Sequence, residues 1–161
     1  MLQLMGRANH SPHLFCADAT ASRIEFAMDA RTGFASFQRH KYLNLETFRK
    51  NGQGVRTAVW FAGDPVSGVP HTLYVYSTAD SGKAKRIRNN PRVRLAPCDA
   101  RGNLRGDWIE ARVEIVTGDA AQHGMRLLNK KYVPWRQLLN FFSSFSRRAR
   151  AVFAIRPAGT A

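Results

Sequence analysis

Residues 73–98, LYVYSTADSGKAKRIRNNPRVRLAPC, restrict this chain to few folds. A run rich in aromatic and β-branched residues, a strand by propensity, stops at Ser77 and Thr78. A polar turn follows. A short basic helix opens at Ser81 and cannot pass Asn90, because Pro91 disfavours helix in the residue before it. A second strand, PRVRLAPC, begins at once. The connection brings Ser77, Thr78, Gly82 and Lys83 to one place. There two hydroxyls and an ammonium surround a helix N-terminus, whose first amides lack intrahelical partners and whose dipole is positive. That combination reads as a clamp for a phosphate group.

The flanking sequence places this unit among further short strands. KYLNLETF (41–48) alternates, RKNGQG carries the Asn51-Gly52 hairpin signal, and VRTAVWFA (55–62) is a second strand. GDPVSGVPH is a loop, and HTLYVYST and PRVRLAPC are strands three and four. After the polar DARGNLRGD comes DWIEARVEIVTG (107–118), then a helix predicted to be capped by Asp119 and to run to about Tyr132. Pro134 suits the first turn of another helix bearing Leu138, Leu139, Phe141, Phe142 and Phe145, and RAVFAIR (150–156) closes the chain as a strand. A short helix is also expected over about 33–40, where Phe34 and Phe37 share a face. The expected fold is mainly β: a six-stranded antiparallel barrel, with a short helix after strand three and a helical pair before the last strand. Closure would remove exposed sheet edges. Residues 1–30 are poorly patterned and are predicted to be an extension to a barrel domain of residues 31–161.

The formal charge is +14, from 25 Lys and Arg against 11 acids, so anionic partners are expected: phosphorylated cofactors, nucleic acid or anionic lipid. Two distant cysteines, Cys16 and Cys98, imply no disulfide framework. No apolar run reaches the length of a membrane span, residues 1–19 lack the apolar core of a signal peptide, and a cytoplasmic location is expected. Arg86, Arg88, Arg92 and Arg94 form an acid-free basic run. It reads as a solvated face, as a receiver of a carboxylate-bearing cofactor tail, or as a nucleic-acid contact; no nucleic-acid motif accompanies it, which ranks that last reading lowest. His10, His13 and Cys16 make a partial metal pattern with no evident fourth ligand, and no metal site is expected.

The order of elements, with FRKNGQGVRTAVWFA (48–62), LYVYSTADSGKAKRIRNNPRVRLAPC and GDWIEARVEIV (106–116), resembles the split-barrel flavin-binding superfamily typified by pyridoxamine 5'-phosphate oxidase. It is most similar to the PPOX-class deazaflavin (coenzyme F420)-dependent oxidoreductase branch. The resemblance covers about residues 33–157 and implies an FMN-binding type of split barrel. It also implies a homodimer with each cofactor between two subunits. By position it puts Lys83, Ser77, Thr78 and Gly82 at the cofactor phosphate, with Arg56 where the oxidase has a phosphate-binding arginine. Thr57, Ala58, Val59 and Trp60 would line the ring, partly through backbone groups, and Arg88 of the basic run would join the cofactor site.

Each assignment has a plainer alternative. Lys83 with its serines is also what an ordinary capped helix looks like, and Arg56 would suit a solvent-facing strand position. Trp60 and Phe61 point to opposite sides of a strand, and core packing is the safer reading for either. Trp108 suits core or interface. WRQLLNFFSSFSRRAR, in the region 135–150, is amphipathic and ends basic; packing on the barrel is preferred over a membrane surface. No nucleophile elbow, Walker motif or paired carboxylates occur, so side-chain acid–base catalysis is not supported. The expected function is a flavin or deazaflavin oxidoreductase passing a hydride between bound coenzyme F420 (or FMN) and a small-molecule substrate. The alternatives are a non-catalytic flavin- or haem-binding carrier or sensor and, last, a basic nucleic-acid-binding module.

Overall fold

The computed structural model describes residues 34, 36–64, 72–132 and 149–158. Strands β1 (Tyr42–Phe48), β2 (Gly54–Gly63), β3 (Leu73–Thr78), β4 (Arg92–Cys98), β5 (Ile109–Val116) and β6 (Arg150–Pro157) close into a barrel in the order β1-β2-β3-β6-β5-β4. Every pairing is antiparallel. Helix α1 (Gly82–Asn89) joins β3 to β4, and helix α2 (Gly118–Lys131) follows β5. The expected mainly β, six-stranded antiparallel barrel with a short helix after strand three is what forms. The predicted extension 1–30, the His10–His13–Cys16 pattern and the predicted helix from Pro134 lie outside the described residues, as does most of the loop after β2.

Alternation along the strands builds the interior. Leu43 and Leu45 of β1 meet Val59 and Phe61 of β2, Leu73 and Val75 of β3, Val93 and Leu95 of β4, and Phe153 and Ile155 of β6. The β1–β2 turn needs a left-handed residue and has one in Gly52, at φ 82°. The short helix expected over about 33–40 has helical positions at Phe34 and Ser36 and ends in a 3₁₀ turn, Phe37–Arg39, after which the chain is extended at His40. Phe34 and Phe37 still share a face. Both are fully buried with ring centroids 6.0 Å apart, and Phe37 meets Phe61 edge-on at 5.8 Å.

The outer face of β2, β3 and β6 carries a second apolar layer of Ala62, Tyr74, Val152 and Ala154, onto which α2 docks through Leu128, followed by Tyr132. Gly124 allows the close approach: a Cβ there would lie 2.5 Å from Tyr74 Cδ1. At the end of α2 the Tyr132 hydroxyl bonds the backbone of Phe61 and the Lys41 carbonyl. Burial pushes this phenol up to about 12. Lys131 Nζ donates to the His40 carbonyl at 2.9 Å and lies 3.7 Å from the centre of the Phe61 ring. Desolvation pulls its pKa down to about 8. The helix starts slightly earlier than expected: Thr117 is the N-cap and Asp119 sits in the first turn. A carboxylate there satisfies the helix dipole much as a capping one does.

Two outcomes follow from this packing. Gly124→Ala forces the Tyr74 ring or α2 outward and should cost about 1–3 kcal/mol, read as a lower urea midpoint; an unchanged midpoint would refute the close approach. Lys131 has a folded pKa below its unfolded value, so the unfolded chain binds more protons between about pH 8 and 10.5, and this group's contribution rises across that window. The stability of the natural chain relative to Lys131→Met should therefore increase from pH 7.5 to 9.5 in paired thermal melts. A constant difference would show that Lys131 is not desolvated.

Candidate functional site

Ser77 is the last inward position of β3, two residues beyond Val75, and so stands at the barrel rim. The chain turns there, with Ser81 N–H donating to the Thr78 carbonyl at 3.2 Å. Ser81 has extended backbone, and its hydroxyl accepts from the Ala84 amide at 3.3 Å, which makes it the N-cap of α1. Ala84 and Ile87 are buried in the barrel interior and seat the helix over the rim. Ser77 Oγ is consequently 3.1 Å from Ser81 Oγ and accepts from Lys83 Nζ at 3.3 Å. The first amides of α1, at Gly82 and Lys83, have no intrahelical partners.

A second cation reaches the same place. Arg86 lies one turn after Lys83, and its Nε donates to Thr47 Oγ1 of β1 at 2.8 Å. A Cβ on Gly82 would lie 3.1 Å from Arg86 Nη1, so the guanidinium folds back across the helix start into space that any larger residue would occupy. Burial, and then the Arg86 charge, hold the Lys83 pKa below the ordinary lysine value. Burial, and then Arg49, lower that of Arg86. Among the described residues neither Lys83 nor Arg86 forms an ion pair. The rim thus gathers desolvated, mutually repelling cations with hydroxyls and helix amides, a place that can lower its energy by taking up an anion.

Arg56 lies elsewhere. The register sets Glu46 of β1 directly between Arg56 of β2 and Arg94 of β4. Glu46 Oε1 accepts from Arg56 Nε at 3.0 Å, and Oε2 is 3.2 Å from Arg94 Nη1, an ion pair without hydrogen-bond alignment. Both guanidiniums lie over the Trp108 ring, at 4.9 and 5.2 Å from its centre. Because Leu45 and Thr47 face the interior, Glu46 and this cluster sit on the outer face of β1.

Of the other predicted site residues, Val59 is interior and Trp60 is on the outer side, stacked on Tyr132 at 5.5 Å. Thr57 and Ala58 are partly buried on β2. Thr78, next to Ser77, faces the other side of β3 and offers its carbonyl to the turn. Arg88 donates to the Ala79 carbonyl at 2.9 Å on the exposed side of α1. The structure therefore brings Ser77, Gly82 and Lys83 together. It adds Ser81, Thr47 and Arg86, and it places Arg56 and Arg88 apart from that group. Spacing of i, i+3 from Lys83 marks Arg86 in the sequence; nothing local marks Thr47. Among the described residues no cluster of His, Cys, Asp or Glu could hold a metal ion, and no helix is long and apolar enough to cross a membrane.

The model of the pyridoxamine 5'-phosphate oxidase family matches residues 33–161. No curated protein matches. Among solved structures, a candidate pyridoxamine 5'-phosphate oxidase from Listeria innocua is 16% identical with a TM-score of 0.55, the match covering 80% of this chain and 93% of that one. HutZ, the haem storage protein of Vibrio cholerae, is 14% identical with a TM-score of 0.53, covering 81% and 86%. A conserved hypothetical protein of Mycobacterium tuberculosis is 19% identical with a TM-score of 0.54, covering 94% and 86%. At these identities the likeness is one of fold.

Glu46→Ala would leave the two guanidiniums repelling each other over Trp108. With both arginines partly in water, the loss of stability should be roughly 1–3 kcal/mol in denaturant melts. A neutral result would mean that solvent already screens the cluster.

Proposed function

Because the chain belongs to the pyridoxamine 5'-phosphate oxidase family, we propose that its barrel binds a phosphorylated flavin-like cofactor, coenzyme F420 or FMN, at the rim of β3 and α1, and acts as an oxidoreductase on a small organic substrate. The observation that carries this reading is the Lys83 ammonium, half-buried and held 3.3 Å from Ser77 Oγ at the start of a helix. The residues fit a phosphate. Gly82 lets the Arg86 guanidinium lie over the helix start, where a Cβ would stand 3.1 Å from Nη1, and the cations there are not neutralised by ion pairs among the described residues.

In this reading Lys83 supplies charge, Ser77 and Ser81 supply hydroxyls, and the Gly82 and Lys83 amides add backbone donors. The cofactor, when bound, supplies the hydride chemistry. The chain's task is to fix the phosphate so that the ring is held along the barrel, where Thr57, Ala58, Val59 and Trp60 of β2 are the candidate flank. Binding between two copies of the chain, as a homodimer, belongs to the same proposal.

A competing reading is storage or transport of a cofactor without turnover. It draws support from the clamp itself, where Lys83 and Arg86 meet the Ser77, Ser81 and Thr47 hydroxyls, an arrangement suited to holding a phosphate. Titration of the protein with FMN and with coenzyme F420, followed by oxidation of the bound reduced cofactor by a quinone, separates the two. Binding with multiple turnovers supports the oxidoreductase, and binding without them the carrier.

Lys83→Ala should weaken FMN or F420 binding by about tenfold or more, as expected for a lost charge-assisted contact. Its melting temperature should stay the same or rise slightly, since the folded state disfavours that buried charge. Affinity should also fall as the pH rises through the lowered Lys83 pKa, before an ordinary lysine titrates. Undiminished binding by Lys83→Ala would dispose of the clamp.

A further inference from the structure

We infer that the arginine partnering Lys83 at the phosphate is Arg86 of α1, and that Arg56 of β2 is withheld from it by Glu46 and Trp108. The inference rests on the phosphate-clamp reading above and assigns its second cation.

Two arginines compete for the role, and their surroundings separate them. Arg56 is committed: its Nε is bonded to a buried carboxylate at 3.0 Å, and its guanidinium covers Trp108 at 4.9 Å. Arg94 approaches the same carboxylate and the same ring. To reach the rim, Arg56 would have to abandon the Glu46 carboxylate and pass to the other face of the sheet. Arg86 has no such tie. Among the described residues its side chain bonds the neutral Thr47 hydroxyl at 2.8 Å through Nε, and both Nη groups stay available for a ligand. That contact fixes the plane of the guanidinium fork, the geometry that suits two phosphate oxygens.

Three features converge on Arg86. It follows Lys83 by three residues and so shares its helix face. Its charge is one of the influences that lower the Lys83 pKa, which places the two cations close together. Its Nη1 lies over Gly82, 3.1 Å from where a Cβ would be, beside the free amides of the helix start. A phosphate between Lys83 and Arg86 would relieve their repulsion and use the amides together.

The test separates phosphate recognition from ring recognition. FMN and riboflavin are titrated against the purified full chain by fluorescence, and in parallel coenzyme F420 and its phosphate-free chromophore. The natural chain should bind the phosphorylated member of a pair more tightly. Arg86→Ala should reduce that preference by about tenfold or more, with affinity for the phosphate-free member unchanged. Arg56→Ala should keep the preference. If Arg86→Ala does not fold by circular dichroism, Gly82→Ala is read in its place: its methyl displaces the flexible end of Arg86 and should reduce the same preference. Loss of preference in Arg56→Ala, or its survival in Arg86→Ala, overturns the inference while leaving the clamp standing. A natural chain with no preference for phosphate, or one whose preference survives Lys83→Ala, removes the clamp and the inference together.

Discussion

The seating of α1 on the barrel mouth is the contact on which the candidate site depends. The helix is only eight residues long, too short to be stable alone, and it persists because Ala84 and Ile87 are buried in the same interior as Phe61, Val93 and Leu95. Burying the isoleucine side chain contributes about 1.5–3 kcal/mol, enough to matter for a two-turn element. The docking also decides where the cations go. Lys83 and Arg86 each immediately precede one of the buried residues, so both stand on the flank of the apolar stripe. They are neither free in solvent nor inside the core. Their desolvation follows from the packing that holds the helix in place.

That flank carries a cost. Burial and the Arg86 charge work against the Lys83 ammonium, burial and Arg49 work against Arg86, and the Ser77 and Thr47 hydroxyls answer the two cations. The outer arginines show what a structural arrangement looks like instead, with a carboxylate placed between two guanidiniums and an aromatic ring under both. The same barrel thus neutralises Arg56 and Arg94 on one face and, among the described residues, leaves Lys83 and Arg86 without an ion pair on the other. Sites that accept a charged ligand commonly carry such local strain, whereas purely structural positions are usually relieved of it.

Alternation made most of the barrel legible in the sequence. Apolar residues two apart identify each strand's inner face, the Asn51-Gly52 pair announces the first hairpin, and Pro91 ends α1. Short and ambiguous signals were less informative. An aspartate near a helix start serves equally at the cap or in the first turn, so the sequence does not settle where α2 begins. At the site, Ser77, Ser81 and Lys83 are local to one turn and visible as a group. The Thr47–Arg86 contact joins residues 39 apart, and the Arg56–Glu46–Arg94 row exists only once β1 is paired on both sides. Neither can be seen without the barrel's register, which is why Arg56 looked available in the sequence when its partner was ten residues away on the neighbouring strand.

Strand β1 is where the two faces meet. Glu46 and Thr47 are adjacent, so strict alternation gives the carboxylate to the outer arginines and the hydroxyl to Arg86. A slip of one residue would exchange them and turn a carboxylate toward Lys83 and Arg86, filling with an internal anion the place a ligand would take. Two features oppose the slip. The turn at Gly52, in its left-handed conformation, sets the phase of β1 against β2. Gly54 then leaves room for the Glu46 carboxylate, since a Cβ there would stand 2.7 Å from Oε1. The hairpin glycines therefore do more than let the chain reverse: they keep the acid on the outside, and the inner cations remain available because of it.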